Sequence, residues 1–255
     1  MSGRPQLEAV ICDAGGTLIR LDFEWMAEDL GRIGHPVEVG TLRRAEVEGR
    51  RAYDASAVAA AAAAPAPRGD VRAYFEGTLA AAGAPGPLRA RAIERLLDRE
   101  RASGLWCRPM EGARAALDAL GSMGLRIGVV SNSDGRAERH LENADMLRGI
   151  EFVVDSHLVG IEKPDPAIFA VALGRLGTLP ERTLFVGDIR SVDEAGARAA
   201  GMPFVLLDPL GDYGDPHAPR IAGMDELAAW VASEFEVVRA PGAATPDKGP
   251  EGGGT

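Results

Sequence analysis

Hydrophobic positions follow two different periods along the chain, and the change between them divides it into regions. Between Leu21 and Leu105 the apolar residues recur every three or four positions, as Phe23, Met26 and Leu30 do. This spacing predicts amphipathic helices with one buried face. From Met110 onward, short apolar runs alternate with further helical stretches. We therefore expect a helical region followed by a region of alternating strands and helices.

The short apolar runs are predicted β-strands. Their continuous hydrophobicity is typical of strands covered on both faces, as in parallel sheets. Strand–helix alternation favours a doubly wound, Rossmann-like α/β sheet with right-handed crossovers. The predicted strands are Glu8–Asp13, Arg126–Ser131, Phe152–Asp155, Thr183–Gly187 and Pro203–Leu207.

These patterns predict an α/β core interrupted by a helical insertion. We assign residues 1–20 and 106–238 to the core, and residues 21–105 to a helical cap inserted after the first strand. Residues 239–255 are rich in glycine, proline and polar residues. Such a segment cannot bury a hydrophobic core, so we expect a disordered tail.

Composition and charge narrow the classes of function. The net charge of −10 argues against nucleic-acid binding, which needs a basic surface. No apolar run approaches the ~20 residues that span a bilayer, so we expect no membrane segment. The two cysteines, Cys12 and Cys107, are too few for a disulfide framework, which favours the reducing cytoplasm. The arginine pairs at 43–44 and 50–51 are interpreted as solvated surface residues.

Polar side chains that could take part in catalysis or bind a metal follow the predicted strands. Asp13 ends the first strand, Ser131 and Asn132 end the second, and Asp188 with Asp193 follows a later one. Lys163 lies in a loop of this region and is the single lysine before Lys248. Ligands of open parallel sheets bind at the carboxyl ends of the strands. Three carboxylates gathered there suit a hard divalent cation, and an ammonium group would relieve their repulsion.

Four segments that contain these polar residues resemble the motifs of the haloacid dehalogenase-like superfamily. Each motif alone is weak, but all four occur in the family's order and at predicted strand ends or loops. The resemblance extends over about residues 8–231 and includes a helical cap between the first and second motifs. The matching segments are Asp13-Ala-Gly-Gly-Thr17-Leu, Val129-Val-Ser131-Asn132, Gly160-Ile-Glu-Lys163-Pro-Asp-Pro and Val186-Gly-Asp188-Ile-Arg-Ser-Val-Asp193.

The resemblance implies a catalytic role for several residues. Asp13 would attack phosphorus and form an aspartyl-phosphate. Thr17 would help to fix the nucleophile loop, although a turn hydroxyl bonded to backbone is an equally simple interpretation. Ser131 and the backbone near Asn132 would bind the phosphoryl group. Lys163 would neutralise charge on Asp13 and on the phosphoryl oxygens.

The resemblance also implies a Mg²⁺ site and a small phosphorylated metabolite as substrate. Asp13 and Asp188 would bind the ion directly, and Gly15 would contribute its backbone carbonyl. Asp193 would bind the ion through a water molecule or hold Lys163 in place.

The sequence departs from the family at one position that matters. Phosphatases of this family carry a second aspartate two residues after the nucleophile, where this chain has Gly15. That aspartate is the general acid/base, and such a group contributes ~10²–10⁴ in rate. The metal site should survive this replacement while proton transfer is lost. Asp22, Glu24 and Asp134 are the carboxylates nearest by position that could replace it.

Three interpretations of this departure follow. The chain is a phosphohydrolase that is slow or restricted to good leaving groups, or it is a weak catalyst that binds phosphorylated ligands. Dehalogenation is the third and is disfavoured, because haloacid dehalogenases lack the metal-binding aspartate that this chain keeps as Asp188. A Schiff-base mechanism of the phosphonoacetaldehyde hydrolase type is excluded, because no lysine precedes Lys163.

Overall fold

The computed structural model describes residues 3–61, 70–211 and 219–239. The segment expected to form a disordered tail lies outside the described residues, except for its first residue. Within the described ranges the strands are β1 Gln6–Leu7, β2 Ala9–Cys12, β3 Ile19–Leu21, β4 Trp106–Pro109, β5 Arg126–Ser131, β6 Phe152–Asp155, β7 Thr183–Gly187, β8 Phe204–Leu207, β9 Arg220–Ile221 and β10 Glu236–Val237.

Helices account for most of the remaining described chain. Short 3₁₀ turns lie at Pro180–Arg182 and Met224–Glu226, and a π-helical turn lies at Arg190–Glu194. The α-helices are α1 Phe23–Arg32, α2 Val39–Ala61, α3 Val71–Ala81, α4 Gly86–Ser103, α5 Ala113–Ser122, α6 Ala137–Asn143, α7 Ser156–Val159, α8 Pro166–Leu176, α9 Ala195–Ala199 and α10 Leu227–Glu234.

The central sheet has six parallel strands in the order β6-β5-β2-β7-β8-β9. Strand β2 pairs with β5 on one side and β7 on the other, so Cys12 lies opposite both Val129 and Val186. This register brings the carboxyl ends of three strands to one point on the sheet edge. The predicted α/β fold with a doubly wound parallel sheet is confirmed.

Each face of the sheet packs against its own set of helices. Val10 and Cys12 point into a cluster with α5 and α10, whereas Ala9 and Ile11 point into a cluster with α8 and α9. Successive residues of a strand face opposite sides. Because both faces are covered, all four residues of β2 are buried, which explains why the strand reads as a continuous apolar run.

Helices α1 to α4, called the cap helices below, bury a separate hydrophobic cluster. It includes Phe23, Met26 and Leu30 of α1, together with Phe75 of α3 and Leu96 of α4. The helical period in the sequence thus marked the buried face of α1 correctly. Two strands connect the cap helices to the sheet, and these strands, β3 and β4, pair with each other in antiparallel fashion.

Several element boundaries differ from those expected. The helix expected from Asp134 begins at Ala137, and the helix expected at Val192 starts with the π-helical turn from Arg190. The pairing of β1 with β10, which joins the ends of the described chain, was not predicted because two-residue strands carry no detectable period. Among the described helices, none has both the length and the apolar character needed to cross a membrane.

Phe169 provides a test of the packing beneath the sheet. Its ring is fully buried, 5.0 Å from the ring of Phe185, and a Cβ at Gly196 would approach it to 2.4 Å. We expect Phe169→Ala to lower the free energy of unfolding by about 3–5 kcal/mol, because a cavity replaces the ring. Urea unfolding measures this change. Leu158→Ala, whose side chain is 71% exposed, is the control and should change stability by no more than about 0.5 kcal/mol.

Candidate active site

Asp13, Ser131 and Asp188 meet at the carboxyl edge of the sheet. Asp13 and Asp188 each come one residue after their strands, β2 and β7, whereas Ser131 is the last residue of β5. These three strands are neighbours in the sheet. Lys163 reaches the same point from the loop before α8, and Asp193 reaches it from the π-helical turn after β7. The structure therefore brings together the residues that the sequence placed at strand ends.

The ammonium group of Lys163 bridges two of the carboxylates. It donates to Oδ1 of Asp13 and, at 2.7 Å, to Oδ1 of Asp193. Oδ2 of Asp193 accepts the backbone N–H groups of Asp188 and Ile189 at 3.1 and 3.0 Å. Both oxygens of Asp193 are thus engaged in holding Lys163 and the loop that carries Asp188, which is one of the two roles expected for it.

Burial sets the charge behaviour of this cluster. It raises the pKa of Asp13 from 3.8 to about 6, although the nearby Lys163 opposes the rise. Burial also raises the pKa of Asp188 well above its usual value, against the attraction of Arg50. For Lys163, burial alone would lower the pKa, but Asp13 and Asp193 together raise it above its usual value. The raised pKa values of Asp13 and Asp188 therefore indicate that a single ammonium group does not fully stabilise the ionised carboxylates.

The three carboxylates fit a divalent cation. One oxygen from each of Asp13, Asp188 and Asp193 lies within 4.8 Å of the others. Oδ1 of Asp188 is buried and, within the described part of the chain, has no hydrogen-bond partner. A buried carboxylate oxygen without a donor is costly unless a cation or donor reaches it. Oxygen ligands of this kind suit Mg²⁺.

Gly15 and Gly16, in the loop that follows Asp13, are restricted in different ways. Gly16 has a φ of +87°, and a Cβ there would lie 2.2 Å from Oδ2 of Asp188. A side chain at position 16 would therefore collide with the carboxylate of Asp188. Gly15 is outside the left-handed region, and a Cβ there would have Cδ1 of Trp106 as its nearest neighbour, at 3.2 Å. Position 15 is restricted by a neighbouring ring rather than by its backbone.

The remaining predicted residues occupy distinct positions. Ser131 lines the cavity described below. The amide of Asn132 donates to the carbonyl of Lys163 and accepts its N–H, both at 2.8 Å, so this side chain anchors the lysine loop. Thr17 is fully buried, and its hydroxyl has no hydrogen-bond partner among the described residues. The hydroxyl thus does not make the backbone hydrogen bond of the simpler interpretation, and Thr17 is not among the residues that line the cavity.

A cavity of about 550 Å³ opens above Asp13, between the sheet edge and the cap helices. Residues from both sides form its wall. From the sheet side these include Asp13, Gly15, Ser131, Asn132, Asp134, Lys163 and Asp188; from the cap side they include Tyr53, Asp70, Tyr74 and Glu100.

The candidate replacements for the missing acid are not equivalent. Asp22 is buried and accepts the N–H of Trp25 at the start of α1, and Glu24 pairs with Arg20. Neither is among the cavity-lining residues. Asp134 lines the cavity but is held by the guanidinium of Arg136 at 2.9 and 3.0 Å. Its pKa is lowered by that contact, which weakens it as a proton donor.

Several residues of the site were missed or misjudged from the sequence. Arg50 was interpreted as a solvated residue, which is wrong, because it is 4% exposed and lies 3.9 Å from Asp188. Trp106 and Tyr53 line the cavity but carried no motif. The helical period could have placed Arg50 near the buried Val47, yet arginine abundance hid the signal.

Comparison with known proteins identifies the family to which the chain is similar. A family model described as haloacid dehalogenase-like hydrolase matches residues 7–201. The chain is 39% identical over 98 residues to haloacid dehalogenase-like hydrolase domain-containing protein 3 of Xenopus laevis, covering 38% of this chain and 40% of that protein. It is 37% identical over 120 residues to a phosphoglycolate phosphatase of Rhodospirillum rubrum, covering 47% of each. The matches thus span less than half the length of these relatives.

A solved structure shares the fold across nearly the whole chain. It is an L-2-haloacid dehalogenase with a TM-score of 0.61 and 23% identity, and the match covers 89% of this chain and 99% of that one. At this level of identity the likeness concerns the fold alone.

Asn132 gives a prediction that needs no substrate. We expect Asn132→Ala to lower the free energy of unfolding by about 1–3 kcal/mol, because the backbone N–H and carbonyl of Lys163 lose their partners. Urea unfolding measures this quantity. The control is Asn143→Ala, the same chemical change at an exposed helix end; equal losses in both variants would contradict the anchoring role.

Proposed function

The chain belongs to the haloacid dehalogenase-like hydrolase family, and on that premise we propose that it is a Mg²⁺-dependent phosphohydrolase with Asp13 as its nucleophile. The observation that carries the proposal is the buried cluster of Asp13, Asp188 and Asp193 around Lys163, with one oxygen of Asp188 left without a partner among the described residues. The cavity above Asp13 has a volume of about 550 Å³, which leaves room for a small phosphorylated metabolite. The phosphatase name of a relative supports the same reaction class.

Asp13 would attack the phosphorus atom through its carboxylate oxygen. A bond forms between that oxygen and phosphorus, the ester P–O bond breaks, and the alkoxide or aryl oxide leaves with the bonding electrons and takes its proton from solvent. Water then attacks the aspartyl-phosphate and releases inorganic phosphate. Lys163 holds one oxygen of Asp13 in place, so the attacking group is oriented before the ligand arrives.

Asp13, Asp188 and the backbone carbonyl of Gly15 would hold the cation, with Asp193 acting through water. When bound, Mg²⁺ would supply the positive charge that the phosphoryl oxygens need in an acidic protein. Ser131 at the end of β5 and the backbone beside Asn132 would donate to the phosphoryl oxygens. The pairing of β3 with β4 supports a cap, residues 21–105, that moves as one unit over the cavity.

A protein that binds phosphorylated ligands with slow turnover is the second candidate. Gly15 favours it, because neither chemical step then has a proton carrier at the family position. Binding of Mg²⁺ and inorganic phosphate without measurable hydrolysis across a broad phosphate-ester panel would support this candidate over the first.

Replacement of Asp13 tests the proposed reaction directly. Asp13→Asn should abolish hydrolysis of every ester that the wild type cleaves, because an amide does not attack phosphorus. Mg²⁺ should raise the melting temperature of the wild type, since it binds only the folded site, and Asp188→Asn should lose that shift. A phosphate-ester panel with Mg²⁺ or a chelator, and scanning fluorimetry, measure both. Asp98→Asn on the exposed surface of α4 is the control; retained activity in Asp13→Asn would refute the mechanism.

A matched pair of substitutions tests the missing carboxylate at position 15. Gly15→Ala and Gly15→Asp place the same Cβ 3.2 Å from Trp106, so their difference isolates the carboxylate. We expect the wild type and Gly15→Ala to prefer aryl phosphates, whose leaving groups need no proton. Gly15→Asp should exceed Gly15→Ala on alkyl phosphates by at least about 10²-fold. Values of kcat/KM for both ester types decide this, and rapid cleavage of alkyl phosphates by the wild type would show that another group supplies the proton.

A further inference from the structure

Arg50 lies at the contact between the cap helices and the metal-site loop. Its Nη1 is 3.9 Å from Oδ2 of Asp188 and donates to the carbonyl of Leu207 at 3.4 Å. The side chains of Arg50 and Asp188 are 5% and 3% exposed, so water screens their interaction little. An arginine from the cap therefore touches the carboxylate that is expected to bind the cation.

A second contact one turn further along α2 joins the same two parts. Oδ1 of Asp54 accepts the backbone N–H of Ser191 at 2.9 Å. Ser191 belongs to the π-helical turn that follows Asp188. Arg50 and Asp54 thus dock one face of α2 on the loop that carries the metal-site carboxylate.

The position of Arg50 is fixed by close packing of α2 on α3. A Cβ at Gly49 would lie 2.1 Å from the hydroxyl of Thr78, and one at Gly77 would lie 2.5 Å from the carbonyl of Glu48. Only glycine allows the two helices to approach this closely. The part of α2 that carries Arg50 is therefore packed directly against α3, and in this arrangement its guanidinium reaches Asp188.

Asp188 presents its two oxygens in two directions. Oδ2 faces Arg50, and Oδ1 is the buried oxygen that has no hydrogen-bond partner among the described residues. A cation at Oδ1 and a guanidinium at Oδ2 would share one carboxylate and repel each other. Two favourable interactions that share one negative charge weaken one another.

We propose that Arg50 is a positioning residue that couples docking of the cap helices to occupancy of the cation site, with each opposing the other at Asp188. This inference rests on the proposed Mg²⁺ site and adds a residue from outside it. The docked cap weakens Mg²⁺ binding, and Mg²⁺ weakens docking by the same factor, because coupling between two binding equilibria is reciprocal. The cation then loads more readily when the cap is lifted.

Mg²⁺ affinity of charge variants tests the first half of the coupling. Isothermal titration with Mg²⁺ alone should give a dissociation constant for Arg50→Gln that is lower than that of the wild type by about tenfold, as expected for removing one charge at this range from a divalent ion. Arg50→Lys keeps the charge and should stay near the wild type. Arg51→Gln removes a charge from an exposed neighbour that pairs with Glu48, and should change the constant by less than about twofold.

Exchange of the Ser191 amide hydrogen tests the second half. In the wild type, Mg²⁺ should speed this exchange by loosening the bond to Asp54, whereas in Arg50→Gln only the direct local effect of the ion should remain. Because both proteins experience the same local effect of the ion, the difference between them reports the coupling. Hydrogen exchange followed by NMR resolves this single amide.

The outcomes separate this inference from the proposed function. Unchanged Mg²⁺ affinity in Arg50→Gln, with normal binding in the wild type, overturns the coupling and leaves the metal site standing. A higher KM with unchanged Mg²⁺ affinity would instead make Arg50 a substrate contact. Absence of Mg²⁺ binding in the wild type overturns both proposals. If Arg50→Gln fails to fold, Asp54→Asn replaces it, because this variant also loosens docking of the cap helices. A Mg²⁺ affinity of Asp54→Asn equal to that of Arg50→Lys would then contradict the coupling.

Discussion

The buried ammonium of Lys163 is the interaction on which the rest of the site depends. It lies between Asp13 and Asp193 with a side chain that is 2% exposed, and through Asp193 it is connected to the backbone that carries Asp188. Buried carboxylates this close could not remain ionised without a cation beside them. The single lysine before position 248 therefore determines whether the strand ends can hold their charged groups together. Asn132 extends this arrangement, because it fixes the backbone of Lys163 to the end of β5.

Charge balance connects the cation and the phosphorylated substrate that we propose for this site. Lys163 offsets part of the negative charge of Asp13 and Asp193, but Asp188 relies on a guanidinium at 3.9 Å and keeps one oxygen without a donor among the described residues. A divalent cation would correct that deficit and then attract an anionic ligand to an acidic protein. Gly16 has a φ of +87° and no Cβ, so no side chain of this residue collides with Asp188, where the proposed ion would bind. The backbone conformation and the electrostatics thus favour the same occupant.

Much of the fold and part of the site could be predicted from the sequence. The continuous apolar runs of β2, β5 and β7 indicated buried parallel strands, and parallel strands bring their following residues to one edge, so Asp13, Ser131 and Asp188 were expected together. Arg50, Tyr53 and Trp106 were not found, because their importance arises from how the cap helices rest on the sheet. No local period encodes that contact. The roles of the site residues, and the division at residues 20–21 and 105–106, stay predictions.

The contact between Gly15 and Trp106 has a consequence for how this chain compares with its relatives. Trp106 is the first residue of β4, which pairs with β3 after the loop that follows Asp13, so Gly15 and Trp106 are in contact at the connection to the cap helices. The ring of Trp106 occupies the space that a side chain at position 15 would need. Steric exchange of this kind predicts correlated substitution: relatives with a carboxylate at the position of Gly15 should carry a smaller side chain, or a differently oriented ring, at the position of Trp106. The identity of residue 15 then depends on packing against the connection to the cap helices as much as on the chemistry.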